Sequence, residues 1–166
     1  MKFYKLRKEQ FVRRPLAEVF SFFEKPENLS KITPPSLGFR IVTPLPIVMK
    51  ERAVFEYTVR VMGIRIRWKS LISDYYPPFG FVDQQVKGPY TFWHHTHTFS
   101  EVEGGTLISD EVRYALPFGI LGVIARHLMV KHQLEQIFAH RSQVIDTLFG
   151  SQEPVELSMH QAGVPA

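Results

Sequence analysis

Residues Trp93 to Phe99 read Trp-His-His-Thr-His-Thr-Phe, and in an extended strand alternate side chains share a face, so Trp93, His95, His97 and Phe99 point together. The segment from Thr106 to Leu116 alternates as well. It carries Ile108, Asp110, Val112, Tyr114 and Leu116 on one side and Leu107, Ser109, Glu111 and Arg113 on the other. Gly104-Gly105 lies between the two segments. As a two-residue hairpin turn it sets Phe99 opposite Asp110, His97 opposite Val112, His95 opposite Tyr114 and Trp93 opposite Leu116. The two inward faces then coincide. The shared face mixes rings with two imidazoles, a carboxyl and a phenol, where a solid core would hold Val, Ile and Leu. Such a face suits a curved sheet that lines a cavity.

A chain of 166 residues with 45% hydrophobic and 13% aromatic content has enough apolar surface for one domain with a substantial core. Its 14 Phe suit either a filled core or the lining of an apolar pocket. The absence of cysteine excludes disulfides and thiolate sites, and with no signal-like N-terminus the expected location is cytoplasmic. The longest apolar run, Phe118 to Ala125, is far too short to span a bilayer, so no transmembrane segment is expected. A net charge of +4 permits anionic partners without requiring them.

Met1 to Val12 reads as a strand with one solvated face. After Pro15, Leu16, Val19, Phe20 and Phe23 recur at helical spacing, and Pro26 opens a second short turn through Leu29, which Pro34-Pro35 ends. Gly38 to Thr43 is a brief strand. From Arg52 the pattern is an antiparallel meander in which Ala53, Phe55, Tyr57, Val59 and Val61 share a face. A turn at Gly63-Ile64 pairs Val61 with Ile66, Val59 with Trp68, Tyr57 with Ser70 and Phe55 with Ile72. Phe81 to Lys87 resumes the sheet, and Gly88-Pro89 turns the chain into the Trp93 strand. Ile120 to Phe149 reads as one long helix with an interrupted stripe of Ile124, Leu128, Leu134, Ile137, Phe138, Val144, Ile145 and Leu148. Gly150 suits its C-cap, and Ser151 to Ala166 lacks periodicity, as a disordered tail would.

Several short motifs carry a resemblance: Pro26-Glu27-Asn28-Leu29, Ile32-Thr33-Pro34-Pro35, Phe81-Val82-Asp83-Gln84-Gln85, Gly88-Pro89-Tyr90, Trp93-x-His95-x-His97-x-Phe99 and Tyr114-x-Leu116-Pro117. Together with the order of elements, they resemble the START-like or SRPBCC superfamily. The likeness is to its bacterial ligand-binding branch, related to polyketide cyclase/dehydrase and lipid-transfer proteins. The resemblance covers residues 1–150 and implies an α+β helix-grip fold. A curved antiparallel sheet would wrap a long C-terminal helix, two short helices would follow the first strand, and a deep apolar cavity would lie between sheet and helix. Every second connection of a meander lies at one end, which groups Gly63-Ile64, Gly88-Pro89-Tyr90 and Pro117-Phe118-Gly119 around the expected mouth, with Ile120, Leu121 and Ile124 bordering it.

The favoured reading is binding or transport of a hydrophobic small molecule such as a lipid, isoprenoid, polyketide or aromatic. Its wall would comprise Phe55, Tyr57, Trp68, Trp93, His95 and His97, with Phe99, Asp110, Tyr114 and Leu116 completing the sheet side and Ile124 and Leu128 facing it from the helix. The alternative is a cyclase or dehydratase in which His95 or His97 acts as base or acid, Tyr114 donates, and Asp110 holds an imidazole in one tautomer. No nucleophile elbow, phosphate loop or dense carboxylate pair accompanies these groups. His95, His97 and Asp110 offer two imidazoles and a carboxylate to a metal, but their aromatic neighbours disfavour a solvated ion and no other motif supplies a ligand. Neither a metal nor another cofactor is therefore expected. Arg60, Arg65, Arg67 and Lys69 form an outward face without interleaved aromatic rings, so no nucleic-acid partner is expected.

Overall fold

Alternating side chains turn seven stretches into strands: β1 (Phe3–Val12), β2 (Arg40–Ile41), β3 (Val54–Val61), β4 (Ile64–Tyr76), β5 (Gly80–Lys87), β6 (Phe92–Val102) and β7 (Gly105–Ala115). Helices α1 (Leu16–Phe23) and α2 (Leu29–Ile32) follow β1, and α3 (Lys131–Phe149) follows β7. The computed structural model describes residues 2–61, 63–117 and 129–150. Ile124 and Leu128, the helix start expected at Ile120 and the tail 151–166 lie outside the described residues.

The strands form one antiparallel sheet in the order β1-β7-β6-β5-β4-β3-β2, a meander from β2 to β7 that β1 extends beyond β7. The β4/β5 pairing slips between Lys69 and Ser70 and again between Ile72 and Asp74. Irregularities of this kind bend a strand and strengthen its twist. Helix α1 forms where Leu16, Val19, Phe20 and Phe23 fall on one face, and all four are buried. Its rings meet Phe99 and Ile108 of the sheet and Ile145 and Phe149 of α3 in the larger core. A smaller core joins Val112 and Tyr114 to Leu134 and Phe138.

Both tight hairpins close one residue earlier than the sequence pattern suggests. Val102 pairs with Gly105 and Val61 with Ile64, so Gly104 and Gly63 stand directly before the returning strands. Gly104 and Gly63 hold φ of +80° and +79°, which a side chain would strain, so each glycine occupies the second turn position and not the first. Gly105 serves another purpose: a Cβ there would lie 2.2 Å from the carbonyl oxygen of Val12, where β1 comes close. The corrected register sets Phe99 opposite Ile108, His97 opposite Asp110, His95 opposite Val112 and Trp93 opposite Tyr114. In the other hairpin Val59 faces Ile66, Tyr57 faces Trp68 and Phe55 faces Ser70. Each partner moves by two positions, so every side chain keeps its face.

The buried stripe of α3 is Leu134, Phe138, Arg141, Ile145 and Phe149. Leu148, expected in that stripe, is 48% exposed, and Phe149 takes its place against Phe22 with ring centroids 5.6 Å apart. Among the described residues, no helix is long and apolar enough to cross a membrane.

Candidate functional site

The sheet, α3 and the segment around α1 and α2 enclose a cavity of about 190 Å³. That is more than ten times the roughly 10–15 Å³ that one water molecule needs by the same measure. Rings dominate its wall. Tyr57 stacks on Trp68 with centroids 5.8 Å apart, while Trp93 meets Trp68 edge-on at 5.2 Å and Tyr90 at 4.8 Å. The Trp68 Nε1 is buried at this wall without a hydrogen-bond partner among the described residues. Tyr57 stays a phenol, its pKa pushed far up by burial and by the nearby charge of Asp83.

Asp83, His95, His97 and Arg141 form the polar part of the wall, with Asp110 behind it. Sheet register explains their meeting. Asp83 lies opposite His95 across β5/β6 and His97 lies opposite Asp110 across β6/β7. The hydrogen bonds run along the diagonals: His97 Nε2 to Asp83 Oδ2 at 2.8 Å and His95 Nε2 to Asp110 Oδ1 at 2.9 Å. His97 Nδ1 also lies 2.9 Å from Asp110 Oδ1, off the alignment of a good hydrogen bond. The imidazoles are tilted against each other with centroids 3.7 Å apart, and Phe81 stacks on His97 at 4.3 Å. Arg141 reaches Asp110 Oδ1 at 3.3 Å and lies over the Phe23 ring at 5.0 Å.

Burial disfavours every charge in this cluster, yet the charges support one another. Burial pushes the Asp110 carboxyl up, but the Arg141 charge and the two histidines outweigh it and hold the pKa well below the usual carboxylate range. Asp83 is likewise lowered: burial opposes it, and the His97 hydrogen bond with the charges of His95, His97 and Arg141 prevails. The histidines divide. Burial would lower His97, but accepting groups on Asp110 and Asp83 raise it, whereas burial and the His97 charge push His95 down.

Of the residues expected at the site, Phe55, Tyr57, Trp68, Trp93, His95 and His97 line the cavity. Phe99, Asp110 and Tyr114 are buried but do not reach it. Leu116 is half-buried against the smaller core. The corrected register puts Asp110 in contact with both imidazoles and moves Tyr114 opposite Trp93.

Solved structures share this architecture. The Zhui aromatase/cyclase from Streptomyces sp. R1128 matches with a TM-score of 0.68 at 15% identity, over 87% of this chain and 92% of its own. TTHA0849 from Thermus thermophilus matches at 0.61 and 17% identity, over 87% of this chain and 99% of its own. For the major latex-like protein 151 from Panax ginseng the TM-score is 0.64 at 12% identity, over 89% and 97%. The chain has the helix-grip fold. No protein-family profile matches the sequence, and no curated protein is similar to it.

Two members of the polar cluster escaped sequence reasoning. Asp83 shares its strand face with Phe81, so the same alternation that exposed His95 and His97 marks it as inward. Arg141 stands between Phe138 and Ile145 at the three- and four-residue steps of the apolar stripe, where an apolar residue belongs. A charged residue at such a position is the signal.

Proposed function

We propose that this chain binds a hydrophobic small molecule in the cavity between sheet and helix. The carrying observation is the Trp68 indole N–H, a buried donor at an apolar wall with no protein acceptor among the described residues. Leaving such a group unpaired costs about 1–3 kcal/mol, which a ligand acceptor would recover once the ring turns Nε1 toward the cavity, to which it now presents almost no accessible surface. Rings supply the contact area, and the Asp83, His95 and His97 side of the wall orients a polar end of the ligand. The absence of cysteine fits work in the reducing cytoplasm. Native mass spectrometry of freshly purified protein, with extraction of any bound molecule, tests the reading. A mass above that of the chain, released as an apolar compound, is the expected result. Undetectable binding of every apolar probe to folded protein would sink the idea.

A second reading, a cyclase or dehydratase, has one observation in its favour. Asp110 accepts from His95 Nε2 and so leaves Nδ1 of that cavity-lining ring, 3.5 Å from Asp83 Oδ2, without a proton and able to take one. Tyr114 and Asp110 stand off the cavity, so acid–base work would fall to His95, His97 and Asp83. Recovery of unchanged ligand after prolonged incubation would count against it.

A further inference from the structure

Charge pairing alone does not require the order found inside the polar cluster. Asp110 sits on the far side of the wall, where its Oδ1 lies 2.9 Å from both His95 Nε2 and His97 Nδ1 and 3.3 Å from Arg141. The other two ring nitrogens, His95 Nδ1 and His97 Nε2, turn to Asp83 Oδ2 at 3.5 and 2.8 Å. One donor atom from each of Asp83, His95 and His97 falls within 4.8 Å of the others, and all three residues line the cavity while Asp110 does not.

Two imidazoles and a carboxylate gathered in this way can hold a metal ion. Donors around a tetrahedral ion at about 2.0–2.2 Å stand about 3.3–3.6 Å apart, and Asp83 Oδ2 lies 3.5 Å from His95 Nδ1 and 2.8 Å from His97 Nε2. Histidines that bind metals present their second ring nitrogen to a carboxylate, which fixes ring orientation and tautomer. Here Asp110 Oδ1 hydrogen-bonds the second nitrogen of His95 and lies 2.9 Å from that of His97, without good alignment, and Arg141 stands 3.3 Å behind it. We propose that Asp83, His95 and His97 bind one divalent first-row transition ion, with Asp110 and Arg141 as positioning residues. Two imidazoles and one carboxylate suit Zn²⁺, Fe²⁺ or Co²⁺ better than Mg²⁺ or Ca²⁺. Asp83, and not Asp110, supplies the carboxylate beside the two imidazoles. The aromatic neighbours are compatible with such an ion, because three protein groups hold it and its open positions face the cavity, not bulk water. Those positions would take an oxygen of a carbonyl, carboxylate or hydroxyl compound.

The test uses the whole chain, stripped with a chelator and exchanged into chelator-free buffer. It is titrated with Co²⁺, followed by visible d–d absorption, and with Zn²⁺ by calorimetry. One equivalent per chain is expected. Asp83→Asn and His97→Gln should lose more than about a hundredfold in affinity, and Asp110→Asn about tenfold to a hundredfold. His132→Ala, at an exposed imidazole on α3, should leave affinity unchanged. Absence of saturable binding to folded wild-type protein overturns the proposal, as does binding that Asp83→Asn leaves intact. Should those variants fail to fold, the wild type still decides. Co²⁺ must shift the exchangeable imidazole signals of the two rings held by Asp110, and unshifted signals at saturating ion overturn the site. Because the readout is the ion itself, failure here leaves the apolar-ligand reading standing, and the reverse also holds.

Discussion

Strand β6 passes through two differently built ends of the same interior. At one end Phe99, 1% exposed, meets Phe20 edge-on at 5.5 Å and Phe23 at 5.1 Å, and neither Phe20 nor Phe99 touches the cavity. At the other end Trp93, Trp68, Tyr90 and Tyr57 contact one another around open space. Both ends are aromatic, so ring content alone does not distinguish a core from a pocket. The difference lies in what opposes the rings. Helix α1 inserts Phe20 and Phe23 against Phe99, whereas the Trp93 end carries polar atoms, the Trp68 N–H among them, that a solid core would have to satisfy. The histidine and aspartate cluster stands at the boundary, with Phe81 of the solid end stacked on His97.

The comparison makes its largest demand at Phe99. Phe99→Ala removes a ring that nothing can replace and should cost about 3–5 kcal/mol in chemical denaturation; a loss below that found for Trp93→Ala would erase the distinction between the ends. The boundary comes next. Arg141→Met keeps an unbranched apolar side chain but removes the guanidinium that lies over Phe23 and faces Asp110, and about 3 kcal/mol is expected for a broken buried pair. The double variant Arg141→Met/Asp110→Asn should recover part of that loss, and strict additivity would mean that the pair is not coupled. At the hollow end, Trp93→Ala should weaken an apolar probe by about 1–3 kcal/mol while cooperative unfolding persists. Unfolding without any measurable probe binding by the wild type would mean that this end is solid as well.

The boundary cluster also sets the pH response of metal-free protein. Asp110 titrates below its unfolded value, so its contribution is present above about pH 4 and is lost as pH falls through its folded value. His95, pushed down chiefly by burial, adds to the loss below about pH 6.5. His97 acts oppositely: raised despite burial by its two carboxylate partners, it contributes fully below about pH 6.5 and fades as pH rises through its higher folded value. Melting temperatures measured across pH should therefore decline on both sides, and His97→Gln should remove the decline that begins above about pH 6.5 while keeping that in acid. A variant with both declines intact would contradict this assignment.

The faces of the sheet were legible in the sequence and the partners across it were not. Alternation has a period of two, so an error of two positions in register leaves Trp93, His95 and His97 inward while changing what each of them meets. The error came from the glycines: a Gly-Gly pair looks like the whole turn, yet only Gly104 takes the left-handed φ and Gly105 yields space to Val12. The same displacement at Gly63 shows that one rule of turn geometry was at stake in both hairpins. The cavity itself depends on distances between elements far apart in the chain, which periodicity does not encode. Asp83 and Arg141 were readable in principle, since each breaks or joins a pattern already recognised in its neighbours.

The smallest expected effect separates a wall that merely touches a ligand from one that orients it. Trp68→Phe keeps an aromatic ring beside Tyr57 and Trp93 but removes the Nε1 donor, which has no partner among the described residues. Loss of ring area weakens every apolar probe, so a single affinity says little about the N–H. The informative quantity is the difference between two probes of matched size, a hydrocarbon and its ketone. If the ketone oxygen accepts from Nε1, the substitution should cost the ketone about 0.5–1.5 kcal/mol more than the hydrocarbon, the net worth of one neutral hydrogen bond. Equal losses would mean that the indole contributes area alone, and the orienting role would then rest entirely on the polar wall formed by Asp83, His95 and His97. A ketone that binds the wild type no better than the hydrocarbon, yet gains in Trp68→Phe, would show that the donor turns away from the cavity in solution.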